Sequence, residues 1–189
     1  MKKILIILCL FSSLLIPPTL FATSVLPVSL EQLSTRASLI FYGTVISNQV
    51  QKDGPSGQIV TLTEFEVIDL IKGDTDTRHI IKQLGGYLKD ADIMFKVHGV
   101  PEFEIGNQYV LFLPEKSSLG FSSPIGLHQG SFSVQTIDAE KIVSNGGNIA
   151  SQQASPNQVV QIPLATFVNH PSRARLDDFI NTVRAYNTK

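Results

Sequence analysis

Glutamates fall two residues apart twice in this sequence, at Glu64 and Glu66 and again at Glu102 and Glu104. On an extended backbone, residues two apart point to the same side. Each pair could therefore present two carboxyl groups together, the equipment of glycoside hydrolysis. The same spacing also describes a solvated strand face. Histidines are the other source of chemistry. His79, His98, His128 and His170 show neither the HxH nor the HExxH spacing of a zinc site. They read as surface or hydrogen-bonded side chains, and neither a metal nor a cofactor is expected. No G-x-S-x-G elbow anchors a serine nucleophile.

The run "QLGGYLKD", Gln83 to Asp90, raises the question of a phosphate loop. Such a loop gathers several backbone N–H groups at a helix N-terminus. The run matches neither G-x-G-x-x-G nor a Walker loop, and the chain soon becomes strand-like after it. Gly85 and Gly86 therefore read as backbone taking positive φ at the end of a strand. Tyr87 and Lys89 would then be presented outward by the loop that follows.

The elements that must hold these residues are mostly strands. Ser29 with Gln32 has capping-box spacing and predicts a short helix over Leu30 to Arg36. "SLIFYGTVISNQVQ" predicts a strand with Leu39, Phe41 and Val45 on one face and Ile40, Tyr42 and Ile46 on the other. Apolar residues on both faces imply a central strand. After the turn cluster at Lys52–Gly57, "QIVTLTEFEVIDLIKG" loses its alternation phase, which predicts a bulge or strong coil of the kind small barrels use at corners. Further strands are expected in "RHIIKQL", "DIMFKVHGV", "NQYVLFLP" and "EKIVS", with two short ones around the glycine of "HQG" in "SPIGLHQGSFSVQT". Residues 145–158 are polar and small, and predict a flexible loop. "PLATFV" is ambiguous between strand and helical turn. Leu176, Phe179, Ile180 and Val183 follow a helical period, predicting an amphipathic helix over about 173–186 with Ser172 as N-cap.

The first residues address the compartment. Lys2 and Lys3 precede an uncharged run from Ile4 to Ile16, followed by Pro17-Pro18 and by "TLFA", which ends in the small residue Ala22. This is the pattern of a secretory signal peptide over residues 1–22, cleaved after Ala22. A membrane span needs about 20 apolar residues, and the prolines come too early. The chain is thus expected in the periplasm or outside the cell, with no membrane span in its mature part. Cys9, the single cysteine, sits inside the apolar run after Leu8, which does not suit a lipid acceptor. Loss of the signal removes both disulfides and thiol chemistry from consideration. It also removes two lysines and no acid, taking the formal charge from −1 to −3. That is far from the basic balance of a nucleic-acid binder.

Three stretches carry a resemblance. "RASLIFYGTVISNQV", "TLTEFEVIDLIKGD" with its terminal Lys72-Gly73, and "FEIGNQYVLFL" with Gly106, Tyr109 and Val110 resemble netrin-like modules, whose OB-like barrel the tissue inhibitors of metalloproteinases share. With "QLGG" and "GLHQGSF" added, the set is similar to uncharacterised exported bacterial proteins over about Leu33 to Thr136. The resemblance implies a mainly β chain with a small OB-like barrel over residues 37–144. Residues 23–36 would precede it with the short helix, and residues 159–189 would pack a C-terminal helix on it. Structural glycines are expected at Gly43, Gly73, Gly85, Gly86, Gly106 and Gly130. The metalloproteinase inhibitors reach zinc through a disulfide-tethered N-terminal cysteine; position 23 here is Thr, so that mechanism does not transfer. OB-like barrels bind ligands with rim loops. On this chain the rim would bring Gln83, Tyr87, Lys89, Phe103, His128 and Gln129 together. The expected function is a non-enzymatic module binding an unknown protein or small molecule. A protease-inhibitor-like protein and a hydrolase using the paired carboxylates are the alternatives.

Overall fold

The computed structural model describes residues 27–147 and 172–188. The residues read as a signal peptide, most of the 145–158 loop, "PLATFV" and His170 lie outside the described residues.

The capping box forms as the spacing requires. Ser29 Oγ accepts from Gln32 N at 3.1 Å, Gln32 Oε1 accepts from Ser29 N at 3.0 Å, and helix α1 runs Leu30–Arg36. Its Leu30 and Leu33 are buried. Strand β1 (Leu39–Lys52) follows and pairs antiparallel with β2 (Ile59–Lys72) and with β6 (Gln108–Leu113). Its central place explains why both of its faces are apolar. Ile40 and Tyr42 enter one core, with α1 and the C-terminal helix α2 (Leu176–Asn187). Leu39, Phe41 and Val45 enter a second core with Phe65, Ile81, Phe103 and Tyr109.

The phase break expected in β2 is real. The β1–β2 register shifts at Ile40/Phe41, Tyr42/Gly43 and Val45/Ser47, leaving Ile71, Ile68 and Ile46 without register partners. Each extra residue turns the side chains that follow onto the opposite face. The broken alternation can therefore keep serving two cores.

Strands β3 (Arg78–Leu84), β4 (Gly86–Leu88), β5 (Ile93–Phe95), β7 (Ser131–Ile137), β8 (Glu140–Ser144) and β9 (Ala174–Arg175) complete the described strands. One sheet has the order β3-β2-β1-β6-β7-β8-β9, and β4 pairs only with β5. The chain is mainly β, but the closed barrel expected over 37–144 is absent among the described residues. The sheet ends at β3 and β9. The outer side of β3 is met instead by a loop, with Ser122 N donating to Lys82 O at 3.1 Å.

Three other expectations change. "SPIGLHQG" yields a 3-10 helix at Leu127–Gly130 rather than a first short strand. Only Ile93–Phe95 of "DIMFKVHGV" is strand. Helix α2 starts at Leu176 with Arg175 at its N-cap and no capping side chain, because Ala174–Arg175 first pairs with β8. Helix α2 packs as its period predicts: the Phe179 ring lies 4.8 Å from Phe132 and 6.4 Å from Phe112. Full burial of a side chain of this size is worth about 1.5–3 kcal/mol.

The Lys72-Gly73 corner acquires a physical role. Lys72 Nζ donates to Ser34 O at 2.7 Å and Thr35 O at 3.3 Å, capping carbonyls at the end of α1. Desolvation there lowers its pKa. Gly73 has φ +83°, and a Cβ would lie 2.3 Å from Ser38 O. Only glycine lets β2 pass so close to the start of β1.

Candidate functional site

The bulge at Ile46 creates the site. Before it, odd-numbered residues of β1 face the second core; after it, Asn48 and Val50 take that face. Register then lays two rows across the sheet, Asn48–Thr63–Ile81 and Val50–Thr61–Gln83. The aromatic core of Phe41, Phe65, Phe103 and Tyr109 thus gives way to a floor carrying Asn, Thr and Gln. Phe103 marks the border, with ring centroids 5.3 Å from Phe65 and 4.9 Å from Tyr109 in edge contact.

The glycine pair supplies the roof. Gly85 and Gly86 have φ +102° and +136°, which turn the chain off β3 and back over the sheet. A Cβ on Gly86 would lie 2.6 Å from Thr61 Oγ1 and 2.7 Å from a Val50 methyl. The backbone itself rests on the floor at this point. Gly85 N donates to Ile59 O at 2.9 Å and Gly85 O accepts from Thr61 Oγ1 at 2.7 Å. Strands β4 and β5 then cross above, followed by the 96–103 loop. A cavity of about 290 Å³ remains between floor and roof, closed by apolar groups from Val50, Leu84, Phe95, Val97, Val100 and Phe103.

One polar group stands out on the floor. Gln83 is 3 % exposed, and its Nε2 is buried with no hydrogen-bond partner. Its neighbours are satisfied: Thr63 Oγ1 donates to Asn48 Oδ1 at 2.7 Å, and Asn48 Nδ2 donates to Phe103 O at 2.6 Å. The charged lining residues are Lys96 and Glu102, paired at 2.8 Å with both side chains well exposed. The interior is therefore neutral.

The adjacent Lys82 faces the other way and anchors the edge strand. Its Nζ donates to Asp53 Oδ1 and Leu119 O, both at 2.7 Å, and sits 4.7 Å from the Phe121 ring centroid. The hydrogen bonds from Lys82 and then Ser56 lower the Asp53 pKa to about 2.

Of the six residues expected at the rim, Gln83, Tyr87 and Phe103 meet at the cavity. Tyr87 OH donates to Asp92 Oδ1 at 2.7 Å, which raises its pKa. Lys89 lies in the 3-10 turn at the hairpin tip, away from the cavity lining. Gln129 has a tethering role: its Oε1 accepts from Val28 N at 2.7 Å. His128 lines a neighbouring cavity of about 350 Å³ that shares the 96–102 loop. Of the structural glycines, Gly43 and Gly130 lie where a Cβ would strike the carbonyls of Glu66 and Ile125, at 2.6 and 2.5 Å. Gly106 closes a turn onto Val45 O at 2.8 Å. Sequence reading missed Asn48, Thr61 and Thr63. Their signal was a polar stripe on an inward face, hidden by the bulge in β1.

Three of the four paired carboxylates, Glu64, Glu102 and Glu104, are engaged with neighbours, and Glu66 is exposed. Glu64 accepts from Ser47 at 3.2 Å and meets Arg78 at 3.5 Å, while Glu104 accepts from Asn107 Nδ2 at 2.8 Å. His79 is half-buried, within hydrogen-bonding distance of Thr75 at 2.8 Å. Desolvation, then the Lys116 charge, lowers its pKa. Among the described residues, no three His, Cys, Asp or Glu side chains gather as a metal site, and no helix is long and apolar enough to cross a membrane.

No family model matches this chain, and no curated protein matches it.

Proposed function

We propose that this chain is an exported, non-enzymatic binding module whose site is the cavity beneath the β4–β5 hairpin. The observation that carries the reading is the cavity itself, about 290 Å³ with a largely apolar lining and the amide and hydroxyl groups of Asn48, Thr61, Thr63 and Gln83 on its floor. Small-molecule sites are largely apolar with a few placed polar groups, and this cavity has that composition.

A binding role is also supported by the state of the carboxylates. Glu64, Glu102 and Glu104 are each held by a neighbouring cation or amide, and Glu64, Glu66 and Glu104 are not among the cavity lining. An OB-like relation to netrin-like modules rests on the stretches "RASLIFYGTVISNQV", "TLTEFEVIDLIKGD" and "FEIGNQYVLFL". Export rests on the Lys2-Lys3 start, the uncharged run and the Pro17-Pro18 break.

The test is a screen of small neutral and charged compounds by heteronuclear NMR. Saturable shifts should concentrate at Gly86, Phe95, Val97 and Phe103. A screen in which bound compounds never perturb these residues removes the cavity as the site. Export is checked by N-terminal sequencing of the protein from the envelope or medium, which should begin at Thr23.

A further inference from the structure

Resting on that cavity reading, we infer that the partner is an extended peptide. It adds to the open edge of β1 as a further strand and seats one apolar side chain at the cavity.

The strand edge is the first observation. Strand β6 ends at Gln108, opposite Thr44, whereas β1 continues to Lys52. Val45 is still bonded on that side, donating to Asn107 O at 3.0 Å and accepting from Gly106 N at 2.8 Å. Beyond the bulge at Ile46 no strand pairs with that side of β1 among the described residues. The backbone groups of an antiparallel strand alternate between its two sides. Asp53 N donates to Gln58 O at 2.8 Å, so the alternation gives Ser47, Gln49 and Gln51 to β2. The next pair of strands agrees. Gly85 N donates to Ile59 O, which turns Thr61 and Thr63 towards β3 and leaves Val50 and Asn48, opposite them, facing away from β2. The N–H and C=O groups of Asn48, Val50 and Lys52 therefore point out of the sheet, with no backbone partner among the described residues. The β3 edge differs, because Ser122 N and Lys82 Nζ tie a loop across it.

The cavity starts from the same residues. Asn48 and Val50 turn their side chains into it. Directly opposed residues of paired strands share a face, so the partner residue opposite Val50 places its side chain on the cavity side. Tyr87 and Met94 also line the cavity and are 40 % and 66 % exposed, which leaves apolar surface for that side chain to cover. An added strand gains affinity from main-chain hydrogen bonds and specificity from a pocket for alternate side chains. Charge supplies one more position. Lys52 is exposed and has no ion pair among the described residues, whereas Lys96 and Glu102 at the cavity neutralise each other. An acid opposite Lys52 complements it. Antiparallel pairing is the more stable arrangement per residue. In that direction the partner reads acid-x-apolar-x-polar, with the polar residue opposite Asn48.

The probes are three capped peptides, acetyl-SETXTTS-amide with Leu, Val or Phe at X. The ¹⁵N-labelled protein, in the form the cell delivers, is titrated with each, and amide hydrogen exchange is followed. Without peptide, Asn48, Val50 and Lys52 should exchange freely while Gln49 and Gln51 are protected. At saturation the first three should slow at least about tenfold. N-methylation at X keeps the side chain and removes the N–H that Val50 O accepts. It should cost at least about tenfold in affinity, about 1.4 kcal/mol. Lys52→Glu should weaken binding at least about twofold and favour a peptide with Lys in place of its Glu.

Equal affinity of the N-methylated peptide overturns the inference, since the peptide would then fill the cavity without joining β1. Slow exchange of Asn48, Val50 and Lys52 in the protein alone overturns it too, because the edge would not be open. Protection that follows protein concentration instead of peptide would make a second copy the occupant. Undiminished binding by Lys52→Glu removes the acid from the description of the partner. If none of the three peptides binds while small compounds occupy the cavity, this inference fails and the binding module stands. A cavity that neither peptides nor compounds occupy removes both.

Discussion

Replacing Gln83 by Met should make the protein more stable. Gln83 is 3 % exposed, its Nε2 has no partner, and its neighbours on the floor bond to one another. Truncating a bonded amide would orphan its partner, but no partner is left behind here. The change removes the desolvation cost of a buried unpaired donor, about 1–3 kcal/mol. Met is close in length and flexible enough to adapt to the site, so little cavity or overpacking cost offsets the gain. A net stabilisation of about 1–2 kcal/mol corresponds to a Tm rise of roughly 2–8 °C for a chain of this size. The assay is thermal unfolding of both proteins by circular dichroism and calorimetry, without ligand, in one buffer. A fall in Tm on Gln83→Met would refute the reasoning, since it would mean that the amide is satisfied in the unliganded protein, for instance by an ordered water.

Gly85→Val should lower stability by about 2–3 kcal/mol, because a β-branched residue is forced to φ +102° with a Cβ 2.8 Å from Phe95 O. Unfolding in urea checks this, and a midpoint equal to wild type contradicts the backbone account. Lys72→Met should cost about 1 kcal/mol by uncapping the Ser34 and Thr35 carbonyls. Faster hydrogen exchange within α1 is the expected signature, and unchanged exchange rejects the capping role. Asp53 has its pKa lowered to about 2, chiefly by the hydrogen bond from Lys82. Its contribution is therefore complete above the ordinary value of 3.8 and is lost as pH falls towards about 2. Asp53→Asn should be less stable near neutrality, with a flatter stability profile between about pH 4 and pH 2. Parallel acid limbs for the two proteins would show that Asp53 does not govern this range.

The elements were legible in the sequence to the extent that local forces decide them. Ser29 and Gln32 set the start of α1 because the capping box closes within four residues. The period of Leu176, Phe179, Ile180 and Val183 gave the buried face of α2, and the broken phase after Ile59 gave a bulged β2. Local rules were weaker where distant pairing competed. Ser172 was displaced as N-cap because Ala174–Arg175 extends to join β8. The expected barrel closure depends on contacts between β3 and strands far along the chain, and β3 instead meets the loop at Ser122. At the site, the sequence named Gln83, Tyr87, Phe103 and the glycine pair. It did not name Asn48, Thr61 and Thr63, since one extra residue at Ile46 decides which face Asn48 takes. Nor could it set Gln83 apart from any other strand glutamine. That distinction required the β4–β5 hairpin to fold back on Gly85-Gly86, removing water from the amide without supplying a partner. Sequence periodicity determines which residues form strands and helices. Burial without a hydrogen bond is a property of the closed tertiary structure, because it depends on everything that packs around one atom.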